Sequence, residues 1–525
     1  MAGEVPLAAD RKHVSGVKHT LAGDAVAGLS VALVLVPQSL AYAQLAGLPP
    51  ERGLYAAALA PFAASFAASS PYLQTGPTAI TSLLVLGALS PLAPIGGSEY
   101  VALAALLAIL VGAWRVLLGL IKGGPLAYLM SQPVLLGFTA AATLLIIASQ
   151  LPAALGISSS SDNPLISSWN ALRHPSMWQL GAIGFGLATA AIMMVSKRLS
   201  PLLPGILIAV TGAITVSAIA GYGGTTVGRL PTDLPIPSLH LSWTQLPAIA
   251  LPALVIALIG FAEPAAIARR YAAADRRPWN PDRELISQGL ANLAAGLGGG
   301  YPVGGSFSRT ALGRLAGART RLSGALTGLL VLAFLPVAGL LAKLPTAVLA
   351  AAVIMAVLPL LDLAAVREFW SYSRLQAAVA AATLILSLVL APRLDRAVLI
   401  GIGLAVAVHL WRELHVDVPS WTEADVLHLR PSGVLYFASA PPLEEMLTHS
   451  LAAHPEANHL VVHCERLGRI DLTGALALRE VITDARAAHL AVEIIDVPPQ
   501  ARRLLSRVIP DLVSEKESDD ESSDR

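Results

Sequence analysis

Gly296-Leu-Gly-Gly-Gly-Tyr-Pro-Val-Gly-Gly-Ser-Phe-Ser-Arg-Thr310 lies among hydrophobic segments long enough to be membrane helices, yet six of its residues are glycine and one is proline. Such a run cannot be an ordinary lipid-facing helix, because backbone groups freed by glycine and proline must find partners in protein or water. An interrupted chain at membrane depth is tolerated where it lines a cavity. After Pro302 the sequence turns into a helix start: Ser306 and Ser308 are capping residue types, and free N–H groups at a helix N-terminus favour an anion. Arg309 adds a fixed positive charge and a planar fork of donors. The stretch reads as half of an anion site inside a membrane transporter. The competing reading is an aqueous loop whose arginine faces water.

The rest of the chain places that stretch in a membrane. Apolar residues make up 55% of the sequence and charged residues 13%, with mean hydropathy +0.66. A soluble protein carries about 25% charged residues, so the composition points to a polytopic membrane protein. The net charge of +1 says nothing about partners. Cys464 is the single cysteine, which leaves no intramolecular disulfide and no cysteine-based metal cluster. Met1–Thr20 lacks the short apolar core and small-residue cleavage site of a secretory signal.

Windows of about 20 apolar residues give spans near 24–46, 53–69, 77–92, 98–119, 134–155, 176–196 and 201–221. After a polar connection, Tyr222–Gln245, a second series follows near 247–270, 284–298, 303–316, 321–342, 345–362, 374–392 and 395–414. The third and tenth spans are short, and paired, shortened, Gly/Pro-interrupted segments in two halves point to a binding site. Pro37 and Pro77 stand 40 residues apart, and Pro264 and Pro302 stand 38 apart, so the breaks recur at similar spacing. Seven spans per half is an odd number, which requires the second copy to enter the membrane inverted. With the N-terminus cytoplasmic, most lysines and arginines fall inside, among them Lys197, Arg198, Arg269, Arg270, Arg276, Arg277, Arg314, Arg319 and Arg321. The outside receives Arg52, Arg173, Arg229, Lys343, Arg393 and Arg396, as the positive-inside rule expects.

Beyond Trp411 the pattern becomes that of a soluble α/β module. Strands are expected at Val426–Arg430, Val434–Phe437, His459–Cys464 and Leu490–Val497, with helices at Pro441–Ala453, Leu472–Ala487 and Pro499–Val508. Ser514–Arg525 is acidic and almost free of apolar residues, so it is expected to be disordered.

Soluble-enzyme motifs fail: Ser306 follows Gly300-x4-Gly305 where a phosphate-binding loop needs lysine, Tyr301 breaks a G-x-G-x-x-G pattern, and no H-E-x-x-H is present. The first span offers Gln38 and Tyr42, four apart and therefore on one helical face, beside Ser39. Their polar groups can bond a substrate, or Gln38 can simply bond a neighbouring helix. The third span begins Gln74-Thr75-Gly76-Pro77-Thr78, a second helix N-terminus that an inverted repeat sets opposite the tenth. Glu263 is the sole carboxylate of the eighth span, either an ion or proton carrier or a permanent partner for Arg309.

These motifs resemble the SulP anion transporters, the sulfate-permease superfamily. The resemblance is carried by Gln-Ser-Leu-Ala-Tyr-Ala after Pro37, Ala-Gly-Leu-Pro-Pro at 46–50, Gly-Leu-Tyr at 53–55, Glu284-Leu285-Ile286 and Gly289-Leu290-Ala291-Asn292. It continues through Gly300-Tyr301-Pro302-Val303, Gly305 to Ala311 and Ala316 to Thr320. It covers nearly the whole chain, and the region around Arg309 is highly specific. It implies 14 spans as 7+7 inverted repeats, core and gate bundles, a C-terminal STAS domain, a homodimer and alternating access. It also implies an anion between the third- and tenth-span N-termini, here Thr78, Ser306, Ser308 and Arg309, with Gln38 and Tyr42. Glu263 is similar to the acid of proton-coupled members.

There are departures. Gly304 stands where the family usually has threonine, Gly313 where asparagine is common, and both bear on selectivity. Asp471-Leu472-Thr473-Gly474 resembles the Asp-Ser-Ser-Gly loop of anti-sigma-factor antagonists, with Leu472 in place of the phosphorylated serine.

The organisation expected is a cytoplasmic N-terminus (1–23), a transmembrane transport domain (24–415; repeats 24–221 and 247–415), a cytoplasmic STAS domain (424–512) and a disordered acidic tail (513–525). The activity expected is proton-coupled symport of a small anion across the inner (plasma) membrane, not enzymatic catalysis. Likeness to the prokaryotic dicarboxylate-carrying branch puts a dicarboxylate such as fumarate first, with bicarbonate or sulfate as the alternative and a nucleobase-type permease behind them. No cofactor and no nucleic acid partner is expected.

Overall fold

The computed structural model describes residues 9–125, 131–158, 161–200, 202–235, 241–413, 418–436 and 440–513. Residues 514–525, the acidic tail apart from Val513, lie outside the described residues, as do residues 1–8. The chain divides into two compact units, Met1–Gly403 and Leu404–Arg525.

The first series of helices is α1 (Ala9–Leu45), α2 (Pro50–Ala67), α3 (Ala79–Leu89), α4 (Ser98–Leu120), α5 (Gln132–Ala154), α6 (Pro164–Arg173), α7 (Leu180–Leu199) and α8 (Gly205–Ile219). The second is α9 (Leu246–Ala274), α10 (Pro281–Leu297), α11 (Phe307–Leu315), α12 (Leu322–Phe334), α13 (Thr346–Val357), α14 (Leu363–Tyr372), α15 (Arg374–Val389) and α16 (Leu394–Glu413). Every expected span has its helix. The sequence windows missed α6 and α14, which are short and capped by side chains. Asn163 Oδ1 accepts from Leu165 N at 3.0 Å, and Asp362 Oδ1 accepts from Ala365 N at 2.9 Å. Both follow the fifth span of their own series, which repeats the pattern of the two halves. The first helix also begins well before the expected residue 24, at Ala9.

Seven of the described helical stretches are long and apolar enough to cross a bilayer by themselves. By contrast, α3 has 11 residues and α11 has 9, which at 1.5 Å per residue span only about 17 and 14 Å. Each is preceded by a two-residue strand, β1 (Thr75–Gly76) and β2 (Gly304–Gly305). The strands pair antiparallel, Thr75 opposite Gly305 and Gly76 opposite Gly304. Ser306 N extends the pairing to Gln74 O at 3.0 Å. Backbone groups that an interrupted helix leaves open are thus satisfied across the two halves of the chain.

Close packing fixes this junction from one side. Lipid tails are as apolar as the helices, so association rests on small residues that let backbones approach. A Cβ on Gly112 of α4 would stand 2.8 Å from Gly289 O of α10, and one on Gly289 would stand 2.9 Å from Gly112 O. Seven residues away in each helix the pattern recurs, with Gly119 against Asp282 O and Gly296 against Ala105 O, both at 2.7 Å. The pairing runs antiparallel and carries Gln288 and Asn292 to the strand pair.

The second unit holds β3 (Ser420–Glu423), β4 (Val426–Leu429), β5 (Gly433–Leu435), α17 (Ala440–Ala453), β6 (His459–His463), β7 (Leu467–Ile470), α18 (Leu472–Ala487), β8 (Ala491–Ile495) and α19 (Pro499–Val508). The main sheet has order β3-β4-β6-β8, antiparallel at β3–β4 and parallel elsewhere, and β5 pairs parallel with β7. Leu427, Leu429, Leu460, Val462 and Ile494 alternate onto one face and pack with Leu478, Val481, Ile482 and Leu505. Each such leucine contributes about 1.5–3 kcal/mol by leaving water. Burial and the nearby Asp496 push the Cys464 thiol up to about 12, so it stays protonated and inert. The sequence reading missed β3 and β7, because Ser-Trp-Thr-Glu is polar at three of its four positions and Leu-Gly-Arg-Ile carries a strand-weakening glycine. Phe437, the end of one expected strand, lies outside the described residues.

Candidate functional site

Two helix N-termini meet where β1 and β2 pair. Thr78 is the N-cap of α3; its Oγ1 accepts from Thr81 N at 3.4 Å and lies 2.8 Å from Thr81 Oγ1. Ser306 holds the N-cap position of α11, but its side chain makes no cap bond. Its Oγ sits 3.3 Å from Ser308 Oγ instead, and Ser308 is exposed. The capping expected of these serines is therefore absent. Thr310 Oγ1, which the sequence reading did not single out, donates to Ser306 O at 2.7 Å and accepts from Gln74 N at 3.0 Å.

Arg309 is 1% exposed. Its Nη1 donates to Gln38 Oε1 at 3.3 Å, while Nε and Nη2 have no partner among the described residues. Gly76 of β1 lies beside it: a Cβ there would stand 3.6 Å from Arg309 Nη2. Gln38 and Tyr42 are both buried, and Tyr42 lies within electrostatic reach of Arg309 and Glu263. Ser39, by contrast, donates to Val36 O at 2.7 Å, and its own carbonyl would lie 1.9 Å from a Cβ on Gly53, so it serves the α1–α2 contact.

A cavity of about 280 Å³ opens at the same junction. Its polar edge is Thr78, Thr81, Thr139, Glu263 and the cationic Arg270, its backbone edge is Gly260, Gly304 and Gly305, and its apolar walls include Ile80, Phe138, Ile259 and Phe307. Thr78 and Glu263 thus face the cavity, whereas Arg309, Gln38 and Tyr42 form an adjoining buried group. Glu263 lies close to the backbone N–H of Phe307 and within electrostatic reach of Arg309. Among the described residues no Glu263–Arg309 ion pair is present, so the permanent bridge that the sequence left open is not formed here.

The supporting residues were largely invisible in the sequence. Asn292 brackets Val303 with both amide atoms, Oδ1 accepting from Val303 N at 2.9 Å and Nδ2 donating to Val303 O at 3.1 Å. Gln288 Nε2 donates to Thr75 Oγ1 at 2.7 Å. Arg115 of α4, fully buried, donates to Val303 O as well, at 3.0 Å. The available signal was a lone arginine inside an apolar 23-residue helix.

Gly304 allows a direct test of selectivity. A Cβ there would meet Thr81 Cγ2 at 3.4 Å, Gly260 O at 3.5 Å and Thr78 Oγ1 at 3.7 Å, all ordinary contacts. Gly304→Thr is therefore expected to insert normally and narrow the cavity, raising the half-inhibiting concentration of fumarate about tenfold more than that of sulfate. Competition assays with the two anions check this, and equal shifts would show that Gly304 does not set size selectivity.

Comparison with known proteins gives these features a family. The chain matches the sulfate permease family over residues 21–383 and the STAS domain over residues 421–512. It is 37% identical over 369 residues to a protein named probable sulfate transporter from Mycobacterium tuberculosis, covering 69% of this chain and 66% of that one. It is 29% identical over 528 residues to the sodium-independent sulfate anion transporter of Bos taurus, covering 91% and 85%. Among solved structures, it superposes on SLC26A9 with TM-score 0.83 at 20% identity, over 94% of this chain and 88% of the other. The transmembrane domain of a cyanobacterial bicarbonate transporter, BicA, superposes with TM-score 0.64 at 24% identity, over 74% and 97%. These structural likenesses carry the fold alone, and that fold is the expected polytopic helical membrane protein with a STAS domain. The chain belongs to the sulfate permease family, a family of transporters and not of enzymes.

Proposed function

We propose that this protein is a secondary active transporter of small oxyanions, with sulfate first, bicarbonate next and a dicarboxylate such as fumarate behind them. The observation that carries the reading is Arg309, buried at the meeting of two helix N-termini with Nε and Nη2 unpartnered among the described residues. Buried donors of this kind are costly unless a ligand completes them, and an anion does so with favourable helix dipoles on both sides. The names of the relatives move sulfate and bicarbonate ahead of the dicarboxylate that the sequence ranked first. A nucleobase permease would be expected to use carboxylates in both half-sites instead of Arg309, which sets that reading last. Thr78, Ser306, Ser308, Arg309, Gln38 and Tyr42 are the substrate residues of this proposal, and Glu263 couples the anion to a proton. The protein is a homodimer in the plasma membrane, with its N-terminus and STAS domain in the cytoplasm.

The test is saturable uptake of sulfate, bicarbonate and fumarate by the purified protein in liposomes. Absence of saturable flux for all three would remove the proposal. Deleting Asp425–Arg525 is expected to leave the membrane unit insertable and to lower uptake or assembly, since a soluble module folds by itself and here holds or tunes the membrane part. Wild-type uptake and oligomeric state in the truncated protein would make the STAS domain a passenger.

A further inference from the structure

Arg115 is the one basic residue of α4, and it is 0% exposed. Each guanidinium nitrogen donates to a main-chain carbonyl: Nε to Ala257 O at 3.1 Å, Nη2 to Ile256 O at 3.3 Å and Nη1 to Val303 O at 3.0 Å. Among the described residues no ion pair involves it. Carbonyl dipoles solvate the charge but do not cancel it, and an uncompensated cation at this depth is costly to keep.

Its placement gives the charge a use. Gly260 lines the cavity, and a Cβ built on Gly260 would fall 2.5 Å from Arg115 Nη2. The guanidinium therefore occupies the space behind the cavity wall that any side chain at position 260 would need. Thr81, also on the wall, has its Cγ2 3.5 Å from the same point. On its other edge Arg115 shares the Val303 carbonyl with Asn292, one residue before Gly304 on the wall.

We propose that Arg115 is a positioning residue that sets the preference of the site for divalent over univalent anions, through an unpaired charge held one residue behind the cavity wall. The proposal rests on the anion-transport reading. The cause is Coulombic: in a weakly screened interior a fixed cation acts twice as strongly on a dianion as on a monoanion. A purely structural clamp, once loosened, weakens both anions alike.

The experiment measures, for the full chain in liposomes at fixed pH and zero membrane potential, the KM for sulfate and the half-inhibiting concentration of bicarbonate. No saturable wild-type uptake of sulfate would defeat the functional reading and is separate from the proposal. Given wild-type uptake, Arg115→Gln is expected to raise the sulfate KM about tenfold more than the bicarbonate value. Arg115→Lys keeps the charge but loses the three-way fork, so it is expected to keep the ratio within about twofold while slowing uptake of both. Equal shifts for both anions in Arg115→Gln, or loss of the ratio in Arg115→Lys, would overturn the proposal. If Arg115→Gln does not insert, Arg115→Met, an uncharged side chain of similar reach, replaces it, and equal shifts for both anions overturn the proposal equally.

Discussion

Arg309→Ala is expected to weaken sulfate binding by about ten- to hundredfold, with the protein still inserted. A desolvated charge-assisted hydrogen bond is worth about 1.5–3 kcal/mol, and the variant removes the two donors, Nε and Nη2, left open for a ligand. The fold should survive, because among the described residues the one side-chain bond that Arg309 makes is to Gln38 Oε1. The β1–β2 junction is held separately by main-chain pairing, Asn292 and Gln288. Sulfate affinity in liposomes, together with the elution profile of the purified variant, separates binding from folding. Unchanged affinity in a correctly inserted variant would make Arg309 a structural residue.

Glu263→Gln should abolish proton-driven accumulation while leaving anion binding within a few-fold of wild type. Glu263 faces the cavity near the Phe307 N–H at the start of α11, and the glutamine that replaces it keeps an acceptor oxygen there. An anion in the site and a charge on Glu263 repel each other. Anion and proton therefore load together, and by reciprocity each strengthens the binding of the other. With membrane potential held at zero and one proton per anion, one pH unit supplies about 1.4 kcal/mol, or tenfold accumulation. Wild type should approach that ratio with acid outside, and the variant should stay near equal concentrations. Proton-driven accumulation by the variant would place the carrier elsewhere.

How much of this was readable in advance differs element by element. Gln38 and Tyr42 were placed together by four-residue spacing alone, and both are buried beside the Arg309 group. The proline spacing anticipated two interrupted helices, and the structure adds the reason they meet, the pairing of Thr75–Gly76 with Gly304–Gly305. Ser306 and Ser308 show the limit of residue-type reasoning: both are good capping types, yet their hydroxyls pair with each other. Arg115 shows a different limit. Hydropathy averages hid one arginine in an apolar helix, and nothing local says that its three acceptors come from residues more than 140 positions away.

The membrane class, the two series of seven spans, the break at Gly296–Thr310 and the soluble module beyond Trp411 are all legible in the order of the amino acids. Each of these is a local property of composition or periodicity, and a bilayer enforces it strongly because backbone groups have no water to turn to. Which polar groups face the cavity, the lack of a Glu263–Arg309 ion pair among the described residues, and the place of Arg115 behind Gly260 are visible in the folded chain alone. Those outcomes depend on close approach between α1, α4, α9 and the two half-helices. Such approach is set by the packing of glycines far apart in the chain, and neither composition nor periodicity records it.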